Sequence, residues 1–482
     1  MKKNSFLTIA LALIVSLSAC KKDQGDHSGS GNFDRSSSAT LEDLTDIPNT
    51  TQAVPNVIST NTTLTSDRVW IVNGPTFVTN NATLTIQPGT YIKGTKKPNP
   101  TSKPSFLLIT KGSKLVANGT EANPIVFTSN QAAGGRTPGD WGGIVLLGNG
   151  KTNVASTQEV EGMKPEYMTD LGLSTSIIQY GGTVEADNSG SLKYVRIEFA
   201  GDVISDGNEL NGLTLGGVGS GTTLDHIQVA YGADDAFEFF GGSANAKYLV
   251  SYGNNDDDFD FDQGYQGSIQ FAVSVKVPCL TYSSSPNGIE SNNITSPVVV
   301  TDPSRLTQPV LSNFTILGEN ATSASFNSTG TLFRVNSAYK VSNSIVAGFA
   351  TGANISGGTS TGSFYGYSLV HGFTTATVGT TFTSITSSTA TSANGFIRLV
   401  NPFNVNVCLS TKPIPDFRYL TTPTPSPAAT GANFSGISVT HPGGALTAFD
   451  TTPAYRGAFG ANTAARWDDN WATYTPQTNP YL

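Results

Sequence analysis

The sequence is poor in charged residues and in cysteine. Only 13% of its 482 residues are Asp, Glu, Lys or Arg, and 3 are Cys. A coiled coil or helical bundle would be rich in Glu, Lys, Leu and Ala, so the composition excludes both. Three cysteines cannot form a disulfide framework. The net charge is −8 and the basic residues do not cluster, which argues against a nucleic-acid partner.

The sequence also lacks the short motifs that mark common enzyme classes. It contains no HExxH zinc motif, no Gly-x-Ser-x-Gly nucleophile elbow and no phosphate-binding loop. What it does contain is turn formers, with 51 Gly and 25 Pro, and enough aromatic residues to build a core. No long stretch of the mature chain has helical periodicity. The composition therefore indicates a nearly all-β protein.

The first 20 residues have the pattern of a bacterial lipoprotein signal peptide. Lys2 and Lys3 form a positive region, residues 6–17 form an apolar stretch, and residues 17–20 form a small-residue cleavage site that ends in cysteine. We expect residues 1–19 to be removed and Cys20 to carry the lipid. The alternative is an ordinary secretory signal with an accidental cysteine.

Composition divides the mature chain into three segments. Residues 20–62 are rich in Ser, Asp, Gly and Thr and lack periodicity, so we predict a lipidated, flexible tether. Alternating apolar and polar residues begin after this segment. We assign residues 63–400 to the folded β domain and residues 401–482 to a capping segment packed on it.

Two sets of short strands recur along the chain with a repeat of about 20 to 25 residues. The first set comprises residues 194–197, 226–229, 248–251 and 268–271, and the second comprises residues 212–215, 236–239, 258–261 and 288–291. Such a repeat is typical of a solenoid in which each repeat forms one coil. We predict a parallel β-helix, and the family resemblance described below implies that it is right-handed. A chain of antiparallel sandwiches is the alternative, but it would not produce this regular spacing.

Five segments resemble a family of pectin-lyase-like right-handed β-helix lipoproteins from Bacteroidetes. They are residues 84–90, 140–144, 234–242, 256–260 and 455–460. The resemblance extends from about residue 60 to the end of the chain and implies a fold and a surface location, but hardly any chemistry. Residues 20–23, Cys-Lys-Lys-Asp, are similar to the charged tags that direct lipoproteins of this phylum to the outer membrane.

Acidic side chains recur at two positions of the repeat. Strand alternation places Phe237 and Phe239 inside the solenoid and Glu238 outside it, and equivalent positions on neighbouring coils lie about 4.7 to 4.9 Å apart. We therefore expect an outward row made of Thr214, Glu238, Asp260 and Glu290, continued by Arg334. A second row is expected at the preceding turn, made of Asn211, Asp235, Asp257 and Asn287, with Asp234 and Asp256 beside it.

Three hypotheses explain these acidic rows. Asp and Asn are turn formers whose side chains bind the backbone at the corners of coils. Alternatively, Asp235, Asp257, Glu238 and Asp260 bind calcium, a hard cation that takes six to eight oxygen ligands. The third hypothesis is catalysis by paired carboxylates, as in glycosidases, with Glu238, Asp260, Glu290 and Arg334 as the candidate residues. Fold analogy alone does not establish an enzyme.

The sequence predicts a ligand-binding lipoprotein of the outer membrane or cell surface. Calcium is its candidate cofactor, and the alternative is that it has none. Its ligand would be a glycan or a partner envelope protein. A polysaccharide lyase or glycoside hydrolase is the first alternative, and a structural or adhesion protein is the second. Cys279 and Cys408 either pair with each other or remain as two buried thiols.

Overall fold

The computed structural model describes residues 48, 50–154, 158–205, 208–278, 280–293, 300–320, 328–379, 383–388, 391–405, 414–437 and 449–481. Cys20, Cys279 and Cys408 lie outside the described residues, as do the signal peptide and most of the predicted tether. Among the described residues, no helix is long and apolar enough to cross a membrane.

Short strands make up most of the first half of the fold. They are β1 (Thr51–Ala53), β2 (Val57–Ile58), β3 (Thr62–Leu64), β4 (Val69–Val72), β5 (Pro75–Val78), β6 (Thr83–Ile86), β7 (Tyr91–Gly94), β8 (Phe106–Ile109), β9 (Lys114–Asn118), β10 (Ile125–Ser129), β11 (Ile144–Leu147), β12 (Gln158–Glu159), β13 (Gln179–Tyr180), β14 (Gly190–Glu198), β15 (Val203–Ser205), β16 (Asn208–Glu209) and β17 (Leu213–Gly216). The strands β1 and β2 and the first residue of β3 lie within residues 20–62, the segment that the sequence assigned to the tether.

The second half continues the same pattern. Its strands are β18 (Thr223–Ala230), β19 (Phe237–Phe240), β20 (Asn245–Tyr252), β21 (Phe259–Asp262), β22 (Ser268–Val275), β23 (Ile289–Ser291), β24 (Val310–Leu317), β25 (Thr329–Phe333), β26 (Lys340–Ser342), β27 (Ile345–Asn354), β28 (Phe364–Val378), β29 (Thr383–Ser387), β30 (Leu399–Asn401) and β31 (Asp416–Tyr419). The helices are short: α1 (Glu166–Thr169), α2 (Ala393–Ile397) and the 3₁₀ turns Thr175–Ile178, Pro427–Ala429 and Ser435–Ile437.

The strands stack in three columns of parallel pairs. One column runs from β1 through β4, β7 and β10 to β14, and a second runs from β2 through β5, β8, β11, β17, β19, β21 and β23 to β25. The third column runs from β3 through β6 and β9 and also reaches β14. The long strands β14, β18, β20, β22 and β24 then serve two columns at once. The predicted parallel β-helix is confirmed.

Aromatic rings fill the interior of the coils that carry the acidic residues. Phe237 stacks on Phe259 with ring centroids 5.3 Å apart, and Phe239 stacks on Phe261 at 5.1 Å. All four side chains are buried, with at most 1% of their surface exposed. The predicted inward direction of these residues is confirmed.

A second aromatic column lies at a corner where the chain takes a left-handed backbone conformation. Tyr194, His226, Tyr248 and Phe271 occupy equivalent positions on four coils, and each has φ between 49° and 61°. The His226 ring lies between the two tyrosine rings, with centroids 4.4 and 4.3 Å away. Bulky residues rarely adopt this conformation, so stacking between coils offsets local strain.

The C-terminal segment packs along the outside of the solenoid. Gln270 binds the backbone of Asp450 through both its amide oxygen and its amide nitrogen, and Gln228 binds the backbone of Thr473 in the same way. Farther along, the carbonyl of Tyr481 accepts a hydrogen bond from Lys93. The segment therefore runs from later coils back to early ones. Side chains of the coils hold it by hydrogen bonds to its backbone.

The aromatic interior provides a test of the fold. Phe239→Ala should lower the free energy of unfolding by about 3 to 5 kcal/mol, because it removes buried contacts and leaves a cavity between coils. Ile385→Ala is the matched control, since 44% of the Ile385 side chain is exposed, and it should change stability little. Denaturant unfolding measures both, and equal losses would contradict the inward assignment of Phe239.

Candidate functional site

Strand register places the acidic residues in one outward row. Thr214 pairs with Glu238, Glu238 with Asp260, and Asp260 with Glu290, as the repeat predicted. On the N-terminal side the same row continues through Val145, Leu108 and Phe77, which are apolar. The row is therefore apolar over the early coils and acidic over the later ones.

The prediction that Arg334 continues this row is wrong. Leu332 pairs with Glu290 in the register, and Arg334 lies just beyond the end of β25. Its guanidinium nevertheless reaches back and forms an ion pair with Glu290, and its Nε donates to Asn292 at 2.9 Å. Arg334 thus neutralises the last carboxylate of the row from outside it.

An insertion covers the apolar part of the row. Val160, Tyr167, Met168, Ile178 and Tyr180, from residues 158–180, pack against the outward side chains of the early coils and against Leu210. The hydroxyl of Tyr180 also donates to Gln263 at 3.0 Å, which brings the insertion onto the coil of β21. The acidic residues therefore lie on the coils that follow the covered part of the row, next to the insertion.

This cover changes the expected environment of Glu238. Strand alternation does direct Glu238 away from the solenoid interior, but only 7% of its surface is exposed. Its carboxylate accepts a hydrogen bond from Asn211, which turns it toward the preceding coil. Sequence periodicity could not reveal this burial, because the covering residues lie in an insertion outside the repeat.

The corner before the strands forms a ladder of side chain to backbone hydrogen bonds. Oδ1 of Asp235 accepts from the backbone N–H of Asp257 at 2.8 Å, and Oδ1 of Asp257 accepts from that of Asn287 at 2.5 Å. The neutral Asn287 accepts from Thr329 in the same way at 3.3 Å. The turn-forming hypothesis is thus correct for the geometry, but a negative charge is not needed for it.

Four aspartates of this corner, together with Asp260 of β21, form two groups that could hold a metal ion. One group is Asp234, Asp235 and Asp256, the other is Asp235, Asp257 and Asp260, and in each the candidate ligand oxygens lie within 4.8 Å of one another. Three of the four calcium ligands expected from the sequence, Asp235, Asp257 and Asp260, thus come together. Glu238 is not in either group. Buried acidic clusters of this kind could bind a metal such as calcium.

The carboxylates of this cluster raise the pKa of one another. Burial is the largest cause and raises the pKa of Asp235, Asp257 and Asp260 well above the ordinary value, and neighbouring carboxylates raise it further. The pKa of Asp234 is raised to about 8 and that of Asp262 to about 7. Without a cation, the cluster therefore holds protons at neutral pH.

Two glutamates from outside the repeat also act on the site. After burial, the carboxylate of Glu161 is the largest cause of the raised pKa of Glu238, and Glu161 and Glu209 both raise the pKa of Asp234. Glu161 lies in the insertion and Glu209 in β16, so no periodic signal could have found them. Asp234 and Asp256, by contrast, were visible in the sequence as the first members of two acidic doublets.

The raised pKa values predict a stability that falls with pH. The folded state binds more protons than the unfolded chain between the ordinary aspartate pKa of 3.8 and the folded value of about 8 for Asp234, so the free energy of unfolding decreases across this interval. In a chelating buffer the melting temperature should fall from pH 5 to pH 8. Asp234→Asn should make this fall shallower, and a flat or rising profile in the parent protein would contradict the assignment.

Comparison with known proteins agrees with this architecture. No curated protein and no solved structure matches the chain. Residues 56–412 match a family described as "Pectate-lyase like beta helix domain". This match covers more than half of the 482 residues, and it includes every residue of the acidic cluster. The chain belongs to the pectate-lyase-like β-helix domain family.

Proposed function

We propose that this protein is a lipid-anchored surface protein that binds a glycan through calcium held by the acidic cluster. One observation carries the proposal. Asp235 and Asp257 make the same backbone contact that neutral Asn287 makes on the next coil, yet they bring negative charge into a cluster where burial and repulsion oppose it. The turn contact does not need the negative charge, and the binding of a cation explains why the charge is there.

The chemistry of the cluster suits calcium. Calcium takes six to eight oxygen ligands in a flexible shell, and carboxylates are its preferred side-chain ligands. Asp235 and Asp257 are buried, with 8% and 6% exposed, whereas Asp234, Asp256 and Asp260 keep more of their surface accessible. Buried ligands on one side and accessible ones on the other leave room for a ligand group to complete the shell.

A glycan is the partner that we propose for this cation. Carbohydrate binding or processing is the typical role of a pectate-lyase-like β-helix domain. Hydroxyl and carboxylate groups of a sugar offer the oxygen ligands that calcium takes, and a solenoid presents an extended face to an extended polymer. A partner envelope protein remains the alternative ligand.

Polysaccharide binding provides the direct test. The purified mature protein should retain one class of acidic polysaccharide from a panel of acidic and neutral ones, in calcium but not in chelator. Affinity electrophoresis measures the retention, and Asp257→Asn combined with Asp260→Asn should abolish it. Binding that is equal in chelator would contradict a role for calcium, and no retention of any polysaccharide would leave a protein partner as the ligand.

A polysaccharide lyase is the second candidate. The observation that favours it is Arg334, whose side chain is 46% exposed and lies against Glu290 at the end of the acidic row. Lyases that use calcium need a basic residue beside the cation. Release of unsaturated oligosaccharides from the same panel, lost in Arg334→Gln, would establish cleavage; retention without cleavage supports the binding function.

Calcium should stabilise the folded protein. A ligand that binds only the folded state adds about 2.7 kcal/mol when its concentration is a hundred times Kd, so chelator should lower the melting temperature. Magnesium should substitute poorly because it demands a tight octahedral shell. Calorimetric titration measures binding, and the absence of heat up to millimolar calcium would refute the site.

A double variant separates the metal from the turn. Asp257→Asn with Asp260→Asn keeps the acceptor for the N–H of Asn287, because an asparagine oxygen serves equally well in this ladder. The variant should lose the calcium response and, at pH 8 in chelator, melt no lower than the parent. A variant that unfolds in both buffers would show that these charges serve the fold.

The anchor requires a separate test. Cys20→Ala should remove the acylation site and release the protein from the membrane fraction. Fractionation of cells that express the parent and the variant measures this directly. A variant that stays in the detergent-extracted membrane fraction as firmly as the parent would contradict lipid anchoring through Cys20.

A further inference from the structure

A fully buried lysine lies beneath the turn that carries two of the acidic residues. Lys276 follows β22, and neither its side chain nor that of Asp258 is exposed to solvent. Its Nζ donates to the carbonyl of Asn254 at 3.3 Å and to the carbonyl of Asp256, and it lies 3.3 Å from Oδ1 of Asp258. Three acceptors match the three N–H groups of an ammonium.

These three contacts fix alternate residues of one turn. Asp257, which lies between two of them, donates its N–H to Asp235, and the N–H of Asp258 donates to the carbonyl of Asn287. The Asp256 carboxylate is held from the other side by the Ser283 hydroxyl at 2.5 Å. The turn from Asn254 to Asp258 is thus held at its centre by one ammonium and at its edges by the neighbouring coils.

A lysine is not required by the coil geometry at this corner. The register pairs Tyr252 with Val275 and Val275 with Leu317. The residues that follow them are Gly253, Lys276 and Gly318. The neighbouring coils therefore turn the same corner without a side chain. The lysine occurs on the coil that lies next to the Asp256–Asp257 doublet, where a flexible acidic turn would otherwise spread under its own repulsion.

We infer that Lys276 is a positioning residue for the calcium site: its ammonium holds the turn so that Asp256 and Asp257 are in place as ligands before any cation binds. This inference rests on the proposed calcium function. Lys276 is an internal cation that binds the backbone carbonyls of the turn, whereas calcium binds the carboxylates of the same turn. Preorganised ligands bind more tightly because less ordering accompanies binding.

Charge and position have opposite effects on affinity, and a paired substitution separates them. Removing only the ammonium would make the cluster more negative and would attract calcium more strongly. Lys276→Met combined with Asp258→Asn removes one positive and one negative charge together, so the net charge stays the same. The three contacts of the ammonium are lost, together with its position over the Tyr282 ring, 5.5 Å from the centroid, while an asparagine oxygen can still accept from Ser251. The matched control is Arg466→Met with Asp468→Asn, which removes another buried ion pair, located in the C-terminal segment.

Calcium titration by calorimetry tests the inference in the full mature chain. The Lys276→Met, Asp258→Asn variant should bind calcium about tenfold more weakly or worse, the factor for one lost charge-assisted hydrogen bond, and the control variant should bind like the parent. A parent that binds no calcium refutes the proposed function. A parent and a Lys276 variant that bind calcium equally refute only the positioning role.

Hydrogen exchange on the parent protein decides the matter even if the variant does not fold. Amides of residues 254–258 should be protected to the same degree in chelator and in calcium, because the lysine already orders the turn. If calcium slows their exchange strongly while other turns stay unchanged, the cation and not Lys276 orders the turn, and the inference is overturned.

Discussion

Register between stacked coils is the constraint on which the rest of this structure depends. Each parallel pair places equivalent residues directly over one another, so the chemistry of one repeat position is multiplied along the axis. At inward positions this stacks Phe237 on Phe259 and stabilises the coils. At the corner it stacks Asp235 on Asp257, and the repulsion between their carboxylates opposes the stacking of the coils. The same geometry thus creates both the aromatic core and the repulsion between carboxylates in the acidic cluster.

Neutralisation of that charge differs from coil to coil. Glu290 is paired with Arg334, and Asp258 is paired with Lys276, so each of these carboxylates has a permanent cation. Asp235, Asp257 and Asp260 rely on protons, as their raised pKa values show. Protons exchange with the medium whereas Arg334 and Lys276 do not. The carboxylates of the acidic cluster that can exchange a proton for another cation therefore lie on the two coils of β19 and β21.

The repeat made much of this arrangement predictable from sequence. Alternation gave the inward direction of Phe237 and Phe239, and spacing gave the order Thr214, Glu238, Asp260 and Glu290. The prediction failed at Arg334 because β25 begins two residues before the partner of Ile289. Leu332, and not Arg334, therefore lies opposite Glu290. It failed for the burial of Glu238, and it missed Glu161 and Glu209. These depend on the insertion of residues 158–180 and on the antiparallel pair of β15 and β16, which are not part of the repeat. Lys276 was missed because glycine occupies its position on the adjacent coils.

The path of the C-terminal segment has a consequence for how the chain reaches its native state. Lys93 and Tyr481, which are joined by a hydrogen bond, are 388 residues apart in sequence, and closing so long a loop is slow and entropically unfavourable until the intervening coils have formed. Coils can stack one by one as the chain is made, since each contacts mainly its neighbours. The flank bearing Gln228 and Gln270, however, stays uncovered until the end of the chain arrives. Residues 449–481 must therefore be synthesised before folding is complete, and a chain that lacks them would expose this flank along the solenoid.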